Sequence, residues 1–303
     1  MITLKKIRDL DVSSGAGTAM TYLSAASGLL RAGNFLYVVA DDELHLGIFR
    51  TTDNDPGTLV RLFDGELPAS KRERKKQKPD LEALTLLPPS AEFPSGAMLA
   101  LGSGSTQKRH RGVLLGLDAK GALHGRPRPV DLSRIFASLG AFHELNIEGT
   151  AVCGDEIRLF QRGSKGGSKN AVIRFSLAAF LAALNGKAER AIEPLAIQWI
   201  DLGEIDGIPL TFTDAVALPD SNFVFTAVAE DTADSYNDGP CAAAAVGLLD
   251  SEGNVRRLHP LDAPLKVEGV DARADGDLIR LLLVTDADDP SIPAALFSAT
   301  MER

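Results

Sequence analysis

Cysteine, histidine and aromatic residues are scarce in this chain, and each scarcity narrows the chemistry open to it. The 303 residues include two cysteines, five histidines, one tryptophan and three tyrosines. Cys153 and Cys241 lie far apart in separate apolar runs, so we expect two buried free thiols and a reducing, cytoplasmic compartment. Structural zinc sites are built from cysteine and histidine, so we expect no zinc site.

Long apolar runs and an excess of positive charge are also missing. No run reaches the length of about 18 apolar residues that a membrane helix needs, so we expect no membrane partner. Residues 1–10 contain basic groups but no apolar segment, so we expect no signal peptide. The net charge of −9 disfavours nucleic acid as a partner, because such binding depends on neutralising phosphates.

A short motif recurs five times along the chain. Each copy is a run of strand-forming residues that carries one polar side chain and, directly after it, a small residue. Repeats at a period of several tens of residues are typical of β-propeller blades. The polar positions are Ser27, Glu82, Glu148, Asp214 and Glu268, separated by 55, 66, 66 and 54 residues.

Turn residues divide each repeat into strands, and the last repeat has room for only three. The missing strand is most economically supplied by Ile2–Leu10, because this closure leaves no unpaired edge in the ring. We therefore predict an all-β fold in which residues 1–303 form a single five-bladed β-propeller of four-stranded blades, with six blades as the alternative. Short helices are predicted over Ser133–Leu139 and from an N-cap at Ser176 through Leu184.

The first strand of a propeller blade lines the central channel, so equivalent positions of the five blades converge on one ring. Four carboxylates in a narrow channel raise one another's pKa unless a cation lies between them. Oxygen ligands suit a hard cation, so the sequence predicts Ca²⁺ on the axis, with Mg²⁺ as the alternative. Acids that only hold water or pair with basic neighbours remain the other interpretation. The predicted metal ligands are Ser27, Glu82, Glu148, Asp214 and Glu268.

The order Ser, Glu, Glu, Asp, Glu at the heads of five blades resembles the calcium-activated nucleotidase (apyrase) family. Asp214 stands where those proteins have a hydroxyl, and Lys266–Val270 and Ser27–Tyr37 look most similar. The Glu-Gly pairs are more loosely similar to those of bacterial propellers described as phytase- or esterase-like. The resemblance covers the repeat frame and not the loops. It implies a five-bladed propeller that holds Ca²⁺ on its axis and hydrolyses nucleoside di- and triphosphates.

Basic residues cluster in loops of the second and third repeats, which would emerge at the mouth of the channel. Beside a metal, such residues suit a small anionic, phosphorylated ligand that bridges metal and guanidinium. The basic run Lys71–Lys76 precedes the strand of Glu82, and its ordinary interpretation is a solvated loop. The predicted ligand-binding residues are Arg109, Arg111, Arg162 and Lys165.

These features favour a Ca²⁺- or Mg²⁺-dependent hydrolase of phosphoesters or phosphoanhydrides. A metal-activated water would attack, with Glu148 or His143 as the base. The alternative is a non-catalytic propeller that binds a ligand or a protein and holds a structural metal. A glycosidase with paired carboxylates is least favoured, because one tryptophan and three tyrosines leave little to stack on sugars.

Overall fold

The structure is a computed structural model that describes residues 1–13, 20–164, 167, 169–231 and 239–303. Five antiparallel sheets contain about half of the described residues, and their arrangement confirms the predicted five-bladed propeller. Strand β1 (Lys5–Asp9) comes before the first blade. Blade 1 then contains β2 (Ala26–Ala32), β3 (Phe35–Ala40), β4 (His45–Arg50) and β5 (Thr58–Arg61). Blade 2 contains β6 (Leu81–Leu87), β7 (Ala97–Gly102), β8 (Arg111–Leu117) and β9 (Leu123–Asp131).

The remaining blades follow in chain order. Blade 3 contains β10 (Ile147–Cys153), β11 (Glu156–Gln161), β12 (Asn170–Ser176) and β13 (Ala196–Ile200). Blade 4 begins with a short added strand, β14 (Glu204–Ile205), and continues with β15 (Ile208–Ala217), β16 (Phe223–Glu230), β17 (Cys241–Leu249) and β18 (Val255–Pro260). Blade 5 contains β19 (Val267–Asp275), β20 (Leu278–Thr285) and β21 (Ala295–Glu302).

The N-terminal strand closes the ring, as predicted. β1 pairs antiparallel with β21, so the last sheet has the order β1-β21-β20-β19. The inner strands β2, β6, β10, β15 and β19 contact one another in that order, and β19 also contacts β2. The N-terminal strand therefore covers the edge of β21 and joins the last blade to the chain that enters the first.

The hydrophobic core lies between neighbouring blades. Because each sheet is covered on both faces, central strands such as β7 and β16 are buried along their whole length. Between blades 3 and 4, Phe160 packs edge-to-face on Phe212 with ring centres 5.5 Å apart, and Phe212 packs on Phe225 at 5.2 Å. Such aromatic pairs add to the stabilisation from area burial. This packing holds the inner strands, and hence the channel, in place.

The helices lie in the connections. α2 (Ser133–Phe136), followed by a 3-10 turn, and α3 (Leu177–Leu184) confirm both helix predictions. The interpretation of the basic run as a loop is wrong, because it forms α1 (Lys71–Gln77). Lysine, arginine and glutamate favour helix, and Glu73 and Lys76 pair at 2.9 Å across one turn. In the described part of the chain, no helix is long and apolar enough to cross a membrane.

The two cysteines are free, as predicted, but both are half-buried and not buried. Cys153 is the last residue of β10, and Cys241 is the first residue of β17. Strand ends are less completely covered by neighbouring blades than strand centres, and this accounts for their partial exposure.

Candidate functional site

A β-bulge marks the ring position of every blade. The pairing of the first strand with the second slips by one residue in all five sheets, at Ala26/Gly28, Leu81/Ala83, Ile147/Gly149, Phe212/Asp214 and Val267/Gly269. A bulge leaves one residue unpaired and re-aims its side chain. The five bulged residues are Ser27, Glu82, Glu148, Thr213 and Glu268.

In blade 4, the ring position is therefore Thr213, one residue before the predicted Asp214. The Thr213 hydroxyl donates a hydrogen bond to the Val267 carbonyl of blade 5 at 2.6 Å. Asp214 takes the place of the small residue, and its carboxylate accepts hydrogen bonds from the backbone N–H of Ala215 at 2.7 Å and of Val270 at 2.9 Å. Asp214 therefore does not occupy the ring position that the sequence predicted for it. The motif alone allowed the acid to be aligned at either of two adjacent positions.

The glycine that follows the bulged residue in blades 3 and 5 allows neighbouring blades to approach closely. A Cβ atom on Gly149 would lie 2.7 Å from the backbone N of Ala215 in blade 4. A Cβ atom on Gly269 would lie 2.8 Å from the backbone O of Ser27 in blade 1. Both distances are shorter than a van der Waals contact, so a side chain there would push two inner strands apart.

Two basic side chains neutralise part of the acid ring. The Arg162 guanidinium lies 3.4 Å from Glu148, 2.6 Å from Glu230 and 3.8 Å from Glu268. The Lys266 amine lies 3.3 Å from Glu230 and 3.4 Å from Glu268. All five side chains are between 4% and 12% exposed. The glutamates of this largely buried channel therefore lie against internal cations.

The ring still has more negative than positive charge. Burial raises the pKa of Glu268 well above its usual range, although Lys266 and Arg162 oppose this shift. Burial and the nearby Asp80 raise the pKa of Glu82 in the same way. In the described part of the chain, neither oxygen of Glu268 accepts a hydrogen bond, and Glu82 has no hydrogen-bond or ion-pair partner. An additional cation would therefore stabilise this channel.

A second group of acids, which we call the side cluster, consists of Asp41, Asp80 and Glu82. One carboxylate oxygen of each lies within 4.8 Å of the other two. The Lys78 amine hydrogen-bonds to Asp41 and lies 2.9 Å from Asp80, and the Arg109 guanidinium lies 2.8 Å from Asp80. Asp80 has a φ of 58°, which is uncommon for a residue other than glycine. The side cluster therefore contains acids from two blades together with two internal cations.

An open cleft of about 660 Å³, the mouth cleft, adjoins the side cluster. It lies between blade 1, α1 and the loop that follows β20. Its volume lies in the range that is usual for small-molecule binding sites. Seven carboxylates line the cleft together with six basic residues, which are Arg61, Lys71, Arg74, Lys75, Lys78 and Lys266.

The predicted ligand-binding residues do not form one surface. Arg162 lies in the acid ring, and Arg109 is buried in the side cluster. Arg111 is exposed at the start of β8 and lies over the ring of Phe63 at 5.2 Å. Lys165 lies outside the described residues.

The two predicted bases have different surroundings. Glu148 is buried and accepts a hydrogen bond from the Asn146 amide at 2.5 Å, whereas His143 is exposed in the connection before β10. Sequence reasoning missed His45, whose side chain is 6% exposed and lines the mouth cleft. Neither of its ring nitrogens forms a hydrogen bond within the part of the chain that the structure describes. Its Nδ1 lies 3.9 Å from the Glu43 carboxylate. The sequence feature that could have indicated this position is the acidic stretch Asp41–Glu43, which lies just before β4.

Three further channel residues were not assigned from the sequence. Lys266 and Asp80 stand two residues before Glu268 and Glu82, and alternate residues of an extended chain share a face. This spacing could have placed both beside the ring. Glu230 ends the apolar strand β16, and its pairing with Arg162 could not be read from the sequence.

Asp286 offers a test of the charge balance at the mouth. Burial is the main cause that raises its pKa from 3.8 to about 8, Lys266 opposes the shift, and Asp288 and Asp41 add to it. A carboxyl group with a raised folded-state pKa binds more protons when folded, so its penalty is absent near pH 4 and grows until about pH 8. We expect Asp286→Asn to raise the melting temperature at pH 8.5 and to leave it unchanged at pH 4.

Thermal unfolding followed by circular dichroism at both pH values measures this effect. Asp289→Asn is the control, since hydrogen bonds from Ser291 lower the pKa of this exposed carboxyl and its loss should not stabilise the fold. An Asp286→Asn protein that melts no higher than the wild type at pH 8.5 would contradict the expectation.

The closed ring of five sheets around a channel defines this chain as a five-bladed β-propeller. It belongs to DUF6929, a family of unknown function whose sequence profile matches residues 22–301. No functionally curated protein matches the chain significantly.

Several solved structures have the same fold at very low sequence identity. Glutaminyl cyclase of Myxococcus xanthus is 9% identical, with a TM-score of 0.52 over 100% of this chain and 98% of that one. A luciferin-regenerating enzyme is 10% identical, with a TM-score of 0.51 over 99% of this chain and 95% of that one. A GH43 glycoside hydrolase is 11% identical, with a TM-score of 0.54 over 91% of this chain and 50% of that one. These likenesses show the fold alone.

Proposed function

We propose that the mouth of this propeller binds a divalent cation, Ca²⁺ before Mg²⁺, together with a small phosphorylated anion, and hydrolyses a phosphoester or phosphoanhydride bond of that anion. The observation that carries the proposal is a set of buried carboxylates with too few positive partners, beside a ligand-sized cleft whose lining includes six basic residues among its acids. The donors are oxygen atoms throughout, which fits a hard cation.

Charge balance supports the cation. Around the channel, the four acids Glu82, Glu148, Glu230 and Glu268 face two cations, Arg162 and Lys266. When these acids are ionised, negative charge exceeds positive charge in the channel, and a divalent cation would reduce this excess. The Thr213 hydroxyl at the blade 4 bulge also agrees with the nucleotidase-like motif, in which a hydroxyl stands at that blade.

The mouth cleft supports the anion better than the loops chosen from the sequence. In the described part of the chain, the Arg61 guanidinium contacts the backbone carbonyls of Phe63 at 3.4 Å and Gly65 at 2.7 Å and no carboxylate. The Lys71 amine meets the backbone carbonyl of Asp288 at 3.4 Å. Both side chains remain able to form charge-assisted hydrogen bonds with a phosphate.

His45 is our candidate for proton transfer. Its side chain lines the mouth cleft, and neither ring nitrogen has a hydrogen-bond partner among the described residues. Glu43, which Arg74 holds by an ion pair, lies beside Nδ1. A carboxylate in this place orients an imidazole, and histidine commonly acts as a general acid or base. A bound cation would polarise a phosphoryl oxygen and increase the acidity of water. Glu148 is a weaker candidate, because Arg162 and Asn146 already hold its carboxylate.

A non-catalytic propeller is the second candidate function. The observation that favours it is Arg162, whose guanidinium joins acids of blades 3, 4 and 5. A cation that links three blades stabilises a binding scaffold whether or not a reaction takes place. This protein would bind the same anion without hydrolysing it.

Cation binding is tested by calorimetric titration of metal-stripped protein with CaCl₂ or MgCl₂. Hydrolysis is tested by measuring phosphate release from nucleotides, sugar phosphates and inositol phosphates. We expect one divalent cation per chain and a turnover that EDTA removes. The Arg61→Gln, Lys71→Gln double variant should lose at least about tenfold in phosphate release, since two charge-assisted contacts are gone.

The charge-matched control is Lys187→Gln with Arg190→Gln, both exposed on blade 3, and it should retain full activity. Absence of cation binding together with absence of turnover would contradict the proposal. Cation and phosphate binding without turnover would select the non-catalytic function.

A further inference from the structure

The side cluster combines three carboxylates from separate segments. Asp41 follows β3, Asp80 lies in the connection before β6, and Glu82 is the bulged residue of β6. One oxygen of each lies within 4.8 Å of the others. Ca²⁺ binds its oxygen ligands at about 2.3–2.6 Å, so two ligands of one ion lie up to about 5 Å apart. The three oxygens are therefore close enough to bind one ion together.

Glu82 supplies independent support, because its buried carboxylate has no hydrogen-bond or ion-pair partner among the described residues. The residue is 8% exposed. A buried charge is tolerated when it is paired or bound to a metal. Its neighbours Asp80, Glu148 and Asp41 make its position worse by repulsion. A cation bound among Asp41, Asp80 and Glu82 would offset this repulsion.

An internal cation already lies at this place. The Lys78 amine hydrogen-bonds to Asp41 and is 2.9 Å from Asp80, with a side chain that is 10% exposed. It contacts two of the three carboxylates that a metal ion would need. Two cations in contact with the same carboxylates repel each other strongly in a buried site. The Lys78 side chain also lines the mouth cleft, so it can leave the acids for an open space.

We infer that the divalent cation binds to Asp41, Asp80 and Glu82 on one side of the channel, and that Lys78 occupies this site until the metal displaces it. The inference rests on the proposed function, which requires a divalent cation at the mouth. It differs from an axial site among the ring residues, where Arg162 and Lys266 are the internal cations.

Calorimetric titration of metal-stripped protein with CaCl₂ tests the location. Lys78→Met removes the competing charge and should tighten Ca²⁺ binding by at least about tenfold. Glu82→Gln keeps the shape but removes a charged ligand, and it should weaken binding by at least about tenfold. Lys266→Met is the matched control, because it removes a buried lysine that pairs with ring acids and should change the affinity much less.

Each outcome is decisive. If Lys266→Met tightens binding and Lys78→Met does not, the ion is axial and the inference is wrong. Unchanged affinity in Glu82→Gln would also overturn it. If no variant binds Ca²⁺, the proposed function itself fails. Should Lys78→Met be too unstable for calorimetry, the rise of the melting temperature with Ca²⁺ gives the same comparison, since the ion stabilises the folded state by mass action.

Discussion

Deletion of residues 1–10 should abolish the cooperative thermal unfolding of this propeller and cause it to aggregate. β1 forms backbone pairs with β21 from Ala295 to Ser298, and its removal exposes that strand edge. Exposed strand edges pair with other chains, which leads to aggregation. Circular dichroism melting and size-exclusion chromatography measure the two effects.

The deleted segment also joins three blades. The Ile2 N–H donates to the Pro260 carbonyl at the end of blade 4 at 2.9 Å, and the Leu10 N–H donates to the Ala294 carbonyl of blade 5 at 2.8 Å. The Leu10 carbonyl accepts from Leu23, directly before blade 1, at 3.0 Å. Truncation of one fully buried leucine alone costs about 2–5 kcal/mol. The total stability of a protein is about 5–15 kcal/mol, so the combined loss is comparable with all of it.

A side-chain variant separates the role of the strand from that of its residues. Lys5 and Lys6 are exposed, so Lys5→Thr with Lys6→Thr retains the backbone pairing and should melt as the wild type does. A truncated protein that remains monomeric with an unchanged melting temperature would show that β1 does not close the ring.

Arg162→Met should destabilise the protein strongly above neutral pH and much less at pH 4. The guanidinium is the shared partner of Glu148, Glu230 and Glu268, and Lys266 is the other cation near them. Removal of one partner from a buried ion pair costs about 3–5 kcal/mol, because the remaining charges are left unpaired. Urea unfolding at pH 7.5 and pH 4 measures the free energy of unfolding.

The sign of the pH effect follows from the acids. Burial already raises the pKa of Glu148 and Glu268, and the loss of Arg162 raises both further. A raised folded-state pKa penalises the fold above that pKa and has no effect when both states are protonated. Acidification therefore restores most of the lost stability.

Arg174→Gln is the control from the same blade, since Arg174 pairs with Glu156 near the surface and should contribute about 0–1 kcal/mol. Equal destabilisation by Arg162→Met at pH 7.5 and pH 4 would show that lost packing is the cause and that lost charge is not.

Much of the fold could be predicted from the sequence. The recurring motif around Glu148 and Glu268 predicted five blades, because each copy starts an inner strand. The three strands of the last repeat predicted closure by the N-terminus. Ser176 marked the start of α3 because a serine hydroxyl can cap the first turn. These signals are local or periodic, so they can be recognised in a single sequence without knowledge of tertiary contacts.

The site was harder to predict because its residues meet only through the packing of blades. The acids Glu82, Glu148 and Glu268 were found because the motif repeats them. Arg162 was chosen as a ligand residue from its charged loop, and the structure instead places it among the ring acids. His45 and Glu230 have no motif, so their positions beside the mouth cleft and the ring depend on tertiary contacts.

By itself, the sequence determined the periodic features: the number of blades, the strand that closes them and the acid at the head of most inner strands. Only the tertiary structure decided the register and the partners. A one-residue bulge exchanges Asp214 for Thr213 at the ring, and a period-two strand turns adjacent residues to opposite faces. Which internal cation meets which acid depends on separations of many residues along the chain, as between Lys78 and Asp41. Pairing in a buried channel is set by distances of a few ångströms, and only the assembled blades determine those distances.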